Sequence, residues 1–226
     1  MTTVISIASA KGGVSKTTLS VGIGTDLALE GYKVTIIDCD ANKHALAFAR
    51  KAGIKGFKVV GDGVSEETLL ATIRTARADS DIVLLDLPGM TSKLVLMALT
   101  MSAFVLIPCQ PSLLDVRDAI KTEAQVQDAA EITQREIARA VVWTRVPSGF
   151  ESRVSKAVRE VVDERNLPQF DAALMERTAF REMFLTGEAP RMTAPSSPAA
   201  GNLRAISTEL LARLTGAYTA SNTEAA

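Results

Sequence analysis

The sequence predicts an α/β fold, a mostly parallel sheet with helices on both faces. Two observations carry this expectation. Short runs of β-branched and aliphatic residues recur at 4–7, 34–37, 82–85, 104–107 and 140–143, each bounded by turn-forming or charged residues, as buried parallel strands are. Between them lie stretches with helical spacing, so strand and helix alternate. Such alternation builds βαβ units whose ligands bind at the carboxyl ends of the strands. A chain of 226 residues with 47% hydrophobic composition can bury one substantial core. The expected organisation is a single domain over 1–218 followed by a disordered tail over 219–226.

The first strand leads into Lys11-Gly12-Gly13-Val14-Ser15-Lys16-Thr17-Thr18, and a helix follows with Leu19, Ile23 and Leu27 on one face. Paired glycines let the backbone wrap tightly, so successive N–H groups and the positive helix end, roughly half a charge, point at an anion. A phosphate chain fits that cradle. Lys16 would reach the β- and γ-phosphates, the Thr17 hydroxyl would ligate a bridging Mg²⁺, and Thr18 would add a phosphate hydrogen bond. ATP and Mg²⁺ are therefore the expected cofactors. The strict phosphate-loop spacing has glycine where this chain has Ala10 and Ser15, and serine at the second position is expected to strain the backbone.

The second strand runs into Asp38-Cys39-Asp40-Ala41-Asn42, and carboxylates at i and i+2 of an extended segment point to one side. The run at 82–85 ends in Asp86-Leu87-Pro88-Gly89, with Asp86 placed to hydrogen-bond magnesium-bound water and Gly89 as a hinge. After the run at 104–107 comes Pro111-Ser112-Leu113-Leu114-Asp115, where Asp115 is expected to cap the next helix. The run at 140–143 is followed by Thr144 and Arg145; the arginine has three open readings, facing a nucleotide base, DNA or solvent. Val154, Val158, Val161 and Val162 share a helix face. A loop is expected over 188–201, which is rich in Pro, Ala and Ser, and then an amphipathic helix carrying Leu203, Ile206, Leu210, Leu211 and Leu214.

The Lys-Gly-Gly-x-x-Lys-Thr run that begins at Lys11 resembles the deviant Walker A motif of the ParA/MinD family. The resemblance covers nearly the whole chain, through Asp38-x-Asp40, Asp86 and Pro111-Ser112-x-x-Asp115 to Glu176-Arg177-Thr178-Ala179-Phe180-Arg181. That last segment is similar both to small ParA proteins and to the related ATPase that acts at T-DNA borders. The resemblance implies a P-loop NTPase-like fold and an ATP-dependent homodimer in which Lys11 crosses to the partner's nucleotide. It implies catalytic roles for Lys11, Lys16 and Asp40, with Asp40 orienting the attacking water. Thr17, Asp38 and Asp86 would serve the metal, Asp38 through its water shell. The backbone from Lys11 to Thr18 would hold the phosphates, and Thr144 and Arg145 would lie against the adenine. The implied activity is slow, partner-stimulated hydrolysis of ATP to ADP and phosphate, serving DNA segregation or cargo positioning with a ParB-like or cargo adaptor protein. Alternatives are a MinD-like membrane-associated regulator and a T-DNA or conjugation-type accessory ATPase. The family's Pro-Gln after the aspartate pair is replaced by Ala41-Asn42. No helix-turn-helix precedes the first strand, so operator recognition is not expected.

A formal charge of −1 means that any contact with DNA needs a local basic patch. Non-specific DNA binding in the ATP state would draw on Arg153, Lys156, Arg159 and Arg165, with Arg177, Arg181, Arg191 and Arg204 further on. Cys39 and Cys109 lack the spacing of a zinc site or disulfide framework, and do not supply the cluster cysteines of a nitrogenase-reductase-like carrier. Without a signal-like leader or a long apolar run, the expected location is cytoplasmic, nucleoid-associated when ATP is bound, and not membrane. His44 is expected on a helix surface and Trp143 in the core.

Overall fold

The aliphatic runs form strands with no polar alternation because both faces of the sheet are covered. A computed structural model describes residues 2–149 and 153–223. In chain order the elements are β1 (Thr3–Ile7), α1 (Lys16–Leu29), β2 (Val34–Asp38), α2 (His44–Ala49), β3 (Phe57–Val60), α3 (Leu69–Asp79), β4 (Ile82–Asp86) and α4 (Lys93–Met101). They continue with β5 (Phe104–Cys109), α5 (Leu113–Thr133), β6 (Ala138–Val146), α6 (Arg153–Glu164), β7 (Leu174–Met175), α7 (Ala179–Thr186), α8 (Pro190–Thr193) and α9 (Pro198–Thr223). The strands lie parallel in the order β3-β2-β4-β1-β5-β6-β7, the predicted fold class.

Alternation along each strand divides the core. Val4, Val83 and Val105 face a layer made by α3, α4, α5 and α6, with Ile73, Leu99, Val126 and Val158 packed on them. Ile5, Ile36 and Leu84 face the other layer, where Leu19 and Ile23 of α1, Phe48 of α2, Phe180 of α7, and Leu203 and Ile206 of α9 lie. Trp143 is fully buried, as expected.

Three segments differ from the expectation. β3 was not foreseen: it is an edge strand whose Phe57 and Val59 are half-buried while Lys58 and Val60 are exposed, so it lacks an unbroken aliphatic run. β7 is only two residues long. The loop expected over 188–201 instead holds α8 and the start of α9. Both helices begin on a proline, whose missing N–H costs nothing in a first turn because that donor would have no helical partner. The tail expected over 219–226 lies partly in the end of α9 and partly outside the described residues. No helix among the described residues is long and apolar enough to cross a membrane.

Candidate functional site

The segment between β1 and α1 lies at the carboxyl end of the sheet. Gly13 has φ +79°, and Ser15 stands at the N-cap of α1 in the same left-handed region, at φ 71° and ψ 26°. The strain expected at Ser15 is thus present in the backbone. Its hydroxyl makes no capping bond and the first turn of α1 carries no acidic residue, so the helix presents open amides to an anion. Val14 points the other way, buried in the core, so only its backbone belongs to the cradle. Its carbonyl accepts from the Thr144 hydroxyl at 3.2 Å, which ties the end of β6 to the loop.

Further tethers hold the cradle. The Ala10 amide donates to Thr122 Oγ1 at 3.0 Å, and Gln110 Nε2 donates to the Gly13 carbonyl at 3.0 Å. Gly89 presses on the loop from β4: a Cβ there would lie 2.7 Å from the Gly12 nitrogen. The two lysines part company. Lys16 is buried and its Nζ donates to the Lys11 carbonyl at 2.8 Å, whereas the Lys11 side chain is 40% exposed and pairs with Asp115 at 3.1 Å. Burial lowers the Lys16 pKa, opposed by the nearby Asp86 and Asp40 carboxylates.

The three aspartates meet at one place because β2 and β4 are neighbours in register, with Asp38 directly beside Asp86. Asp86 Oδ1 accepts from Ser20 at 3.1 Å, while Oδ2 is buried without a hydrogen-bond partner. Burial raises the Asp86 pKa to about 7; the Thr17 hydroxyl opposes the rise, the Asp38 charge adds to it, and Ser20 and Lys16 oppose it further. Asp38 is raised too, mainly by burial, against the amide bonds it accepts from Leu46 at 3.0 Å and Asp40 at 3.2 Å. Asp40 stands at the surface of the cleft, and its Oδ1 accepts from both the amide and the side chain of Asn42 at 2.9 Å.

A cleft of ≈ 490 Å³ gathers Gly12, Gly13, Ser15, Lys16, Thr17 and Thr18 with Asp40, Gly89 and Arg145. Asn42, His44 and Phe184 complete its wall, and none of the three was foreseen as a site residue. His44 is the exposed first residue of α2. Beside the cleft, a smaller cavity runs from Thr18 and Arg145 to Leu174, Glu176, Arg177 and Phe180, which brings the Glu176–Arg181 segment to the site. Arg145 lies at φ 49° where β6 is irregular, and so turns toward both spaces.

One expectation is corrected. Ser112, not Asp115, caps α5: its Oγ accepts from the Asp115 amide at 3.2 Å, and the Asp115 carboxylate serves Lys11 and the Ser112 hydroxyl. Three basic candidates for DNA are engaged within the chain. Arg191 pairs with Asp26 and Glu30, Arg177 donates to Asn202 at 3.0 Å, and Arg159 stacks over Trp143 at 4.8 Å from the ring centroid. Arg153, Lys156, Arg165, Arg181 and Arg204 are exposed.

A parallel sheet with an open phosphate cradle after its first strand defines a P-loop NTPase-type protein. The family model described as VirC1 protein matches residues 2–210, and the chain belongs to that family. It is 32% identical to Protein ParA of Rhizobium radiobacter over 184 residues, covering 81% of this chain and 83% of the relative. A McdA–ATP complex from Cyanothece has a similar fold, with TM-score 0.74 and 18% identity over 91% of this chain and 96% of that one. So does the septum site-determining protein MinD of Pyrococcus horikoshii OT3 complexed with Mg-ADP, with TM-score 0.73 and 21% identity over 93% and 96%.

Proposed function

We propose that this protein is an ATP-dependent dimerising switch for DNA segregation or cargo positioning. The observation that carries the reading is the divergence of the two lysines of one loop: Lys16 is buried with its ammonium on the Lys11 carbonyl, while the Lys11 side chain is 40% exposed and turned to Asp115. One lysine can then serve the nucleotide of its own subunit and the other that of a partner copy. The donor set suits ATP and Mg²⁺. Open amides and Lys16 match a polyphosphate, and the orphaned Asp86 oxygen near Thr17 matches a hard cation or its water. The McdA–ATP complex and the MinD complex with Mg-ADP support the same ligands here.

The bound ATP·Mg²⁺ supplies the γ-phosphoryl group and the charge that offsets it. The chain does the rest. Gly12 to Thr18 would bind the phosphates, Thr17 with Asp86 and Asp38 would hold the metal and its water, and Asp40 would orient the attacking water. Arg145 would flank the base, while Thr144, fully buried, braces the loop through the Val14 carbonyl instead of touching the base as expected. Exposed Met90, next to Gly89, and exposed Leu113 and Leu114, next to Asp115, provide apolar surface around the cradle for a second copy. Hydrolysis to ADP and phosphate then acts as a timer stimulated by a ParB-like or cargo adaptor protein, and the ATP dimer binds DNA non-specifically through phosphate contacts. A MinD-like membrane role is disfavoured because Leu203, Ile206 and Leu210 of α9 are buried rather than available to lipid.

Calorimetric titration with ATP and ADP, with and without Mg²⁺, tests the site. The expected result is Mg²⁺-dependent binding that Lys16→Ala abolishes; undiminished binding by that variant would move the nucleotide elsewhere. The VirC1 family match favours a second reading of the cargo, DNA undergoing transfer rather than a resident plasmid. Deleting the gene would then lower transfer frequency while plasmid retention stayed unchanged.

A further inference from the structure

Lys11 is not idle in the single subunit. Its Nζ lies 3.1 Å from Asp115 Oδ1, a contact spanning 104 residues of chain that joins the phosphate loop to the first turn of α5. The two partners are unequal. Lys11 is 40% exposed and its side chain is long, whereas Asp115 is 5% exposed and fixed from two sides by Ser112. The carboxylate is therefore the anchor and the ammonium the mobile part. Asp118, the next acidic residue along α5, is paired with Lys121 at 2.9 Å, so Asp115 is the carboxylate that meets Lys11. The same stretch bonds the loop at two more points, through Gln110 on Gly13 and Thr122 on Ala10.

We propose that Asp115 is a positioning residue that latches Lys11 within its own subunit and so sets the protein concentration at which two copies join. This rests on the reading of Lys11 as a lysine that serves a partner's nucleotide. To do so its ammonium must leave Asp115, and each departure strands a buried carboxylate with only the Ser112 hydroxyl for company. That cost opposes association in both subunits at once. The latch keeps Lys11 in its own subunit when protein is scarce and releases it when partner and nucleotide together outweigh the ion pair.

The test is sedimentation or light scattering of wild type and Asp115→Asn with ATP·Mg²⁺ over a range of protein concentrations, with ATP turnover read in parallel. Asparagine keeps the shape and removes the charge. The dimer is expected to form at about thirtyfold lower protein concentration, since two pairs are released per dimer, each near the upper end for a partly exposed pair. Turnover should reach half its maximum at correspondingly lower protein, with the plateau per dimer unchanged, because Lys11 is still supplied. Asp115→Glu, which restores the charge, should return dimerisation to the wild-type concentration. Ser112→Ala removes the helix cap and keeps the ion pair, so it should lower thermal stability without tightening the dimer. A wild-type dimer with Asp115→Asn no tighter, or with Ser112→Ala equally tight, overturns the latch alone. If wild type and Asp115→Asn are both monomeric at every concentration, the switch reading fails and the latch with it.

Discussion

Asp86 lies buried beside Asp38, with one oxygen bonded to Ser20 and the other without a partner. Its pKa of about 7, raised chiefly by burial, means that the empty native state keeps a proton that the unfolded chain has released. Stability of the empty protein therefore falls as pH rises from about 4 to about 7 and stays low above that. Asp86→Asn removes the buried charge. In EDTA the variant should be more stable than wild type by on the order of 2–4 kcal/mol at pH 8, converging on it near pH 4, while losing Mg²⁺-dependent ATP binding. Urea melts at the two pH values check this, and equal stability at pH 8 would mean that the carboxylate is relieved by other means. Other residues differ in how far the sequence announced them. Strain at Ser15 was legible because the phosphate-loop pattern has glycine there, and φ 71° is the conformation glycine tolerates. The role of Asp115 was not legible, because Ser-x-x-Asp before a helix reads as a local cap while the partner, Lys11, is distant in the chain. Gln110 and Thr122 were missed for the same reason, since their partners Gly13 and Ala10 are distant in the chain, whereas Asn42, two residues from Asp40, was read only as a departure from the family pattern.

At the scale of elements, the segment after β4 and the phosphate loop are in backbone contact, and glycine makes that possible. A Cβ on Gly89 would lie 2.7 Å from the Gly12 nitrogen and 2.9 Å from the Lys11 carbonyl carbon, neither of which can swing aside. Gly89→Ala should cost about 1–3 kcal/mol in urea denaturation and weaken ATP binding, since relief requires the two segments to part. Unchanged stability and affinity would show that they separate freely. Gly89, expected as a hinge, is thus in the structure a close approach of two backbones. α2 carries the Asp40 side of the cleft against α7, where Phe48 meets Phe184 edge to face at 6.1 Å and Lys51 bonds the Phe184 and Leu185 carbonyls at 3.1 Å. Elements that are buried on both sides were readable as aliphatic runs, and β1, β2, β4, β5 and β6 all appeared that way. β3 escaped because an edge strand needs only alternate apolar residues, β7 because two residues make no pattern, and α8 because proline-rich composition reads as loop.

For the whole molecule, the sheet brings the ends of β1, β2, β4 and β6 to one cleft, so residues as far apart in the chain as Gly12 and Arg145 line the same space. That convergence was legible, because strand–helix alternation puts function after each strand. What lay beyond the sequence was which surfaces remain open once the chain is folded. Arg191, Arg177 and Arg159 turn to partners within the chain, while Arg153, Lys156, Arg165, Arg181 and Arg204 stay at the surface. The most direct test of the account is light scattering, run beside binding to random-sequence duplex DNA, with no nucleotide, ADP or ATP·Mg²⁺, in wild type and Asp40→Ala. The account predicts a monomer without nucleotide and with ADP. It predicts a dimer with ATP that binds DNA and releases it steeply as salt rises, and that persists in Asp40→Ala because the γ-phosphate is retained. A monomer in all three nucleotide states would contradict the switch.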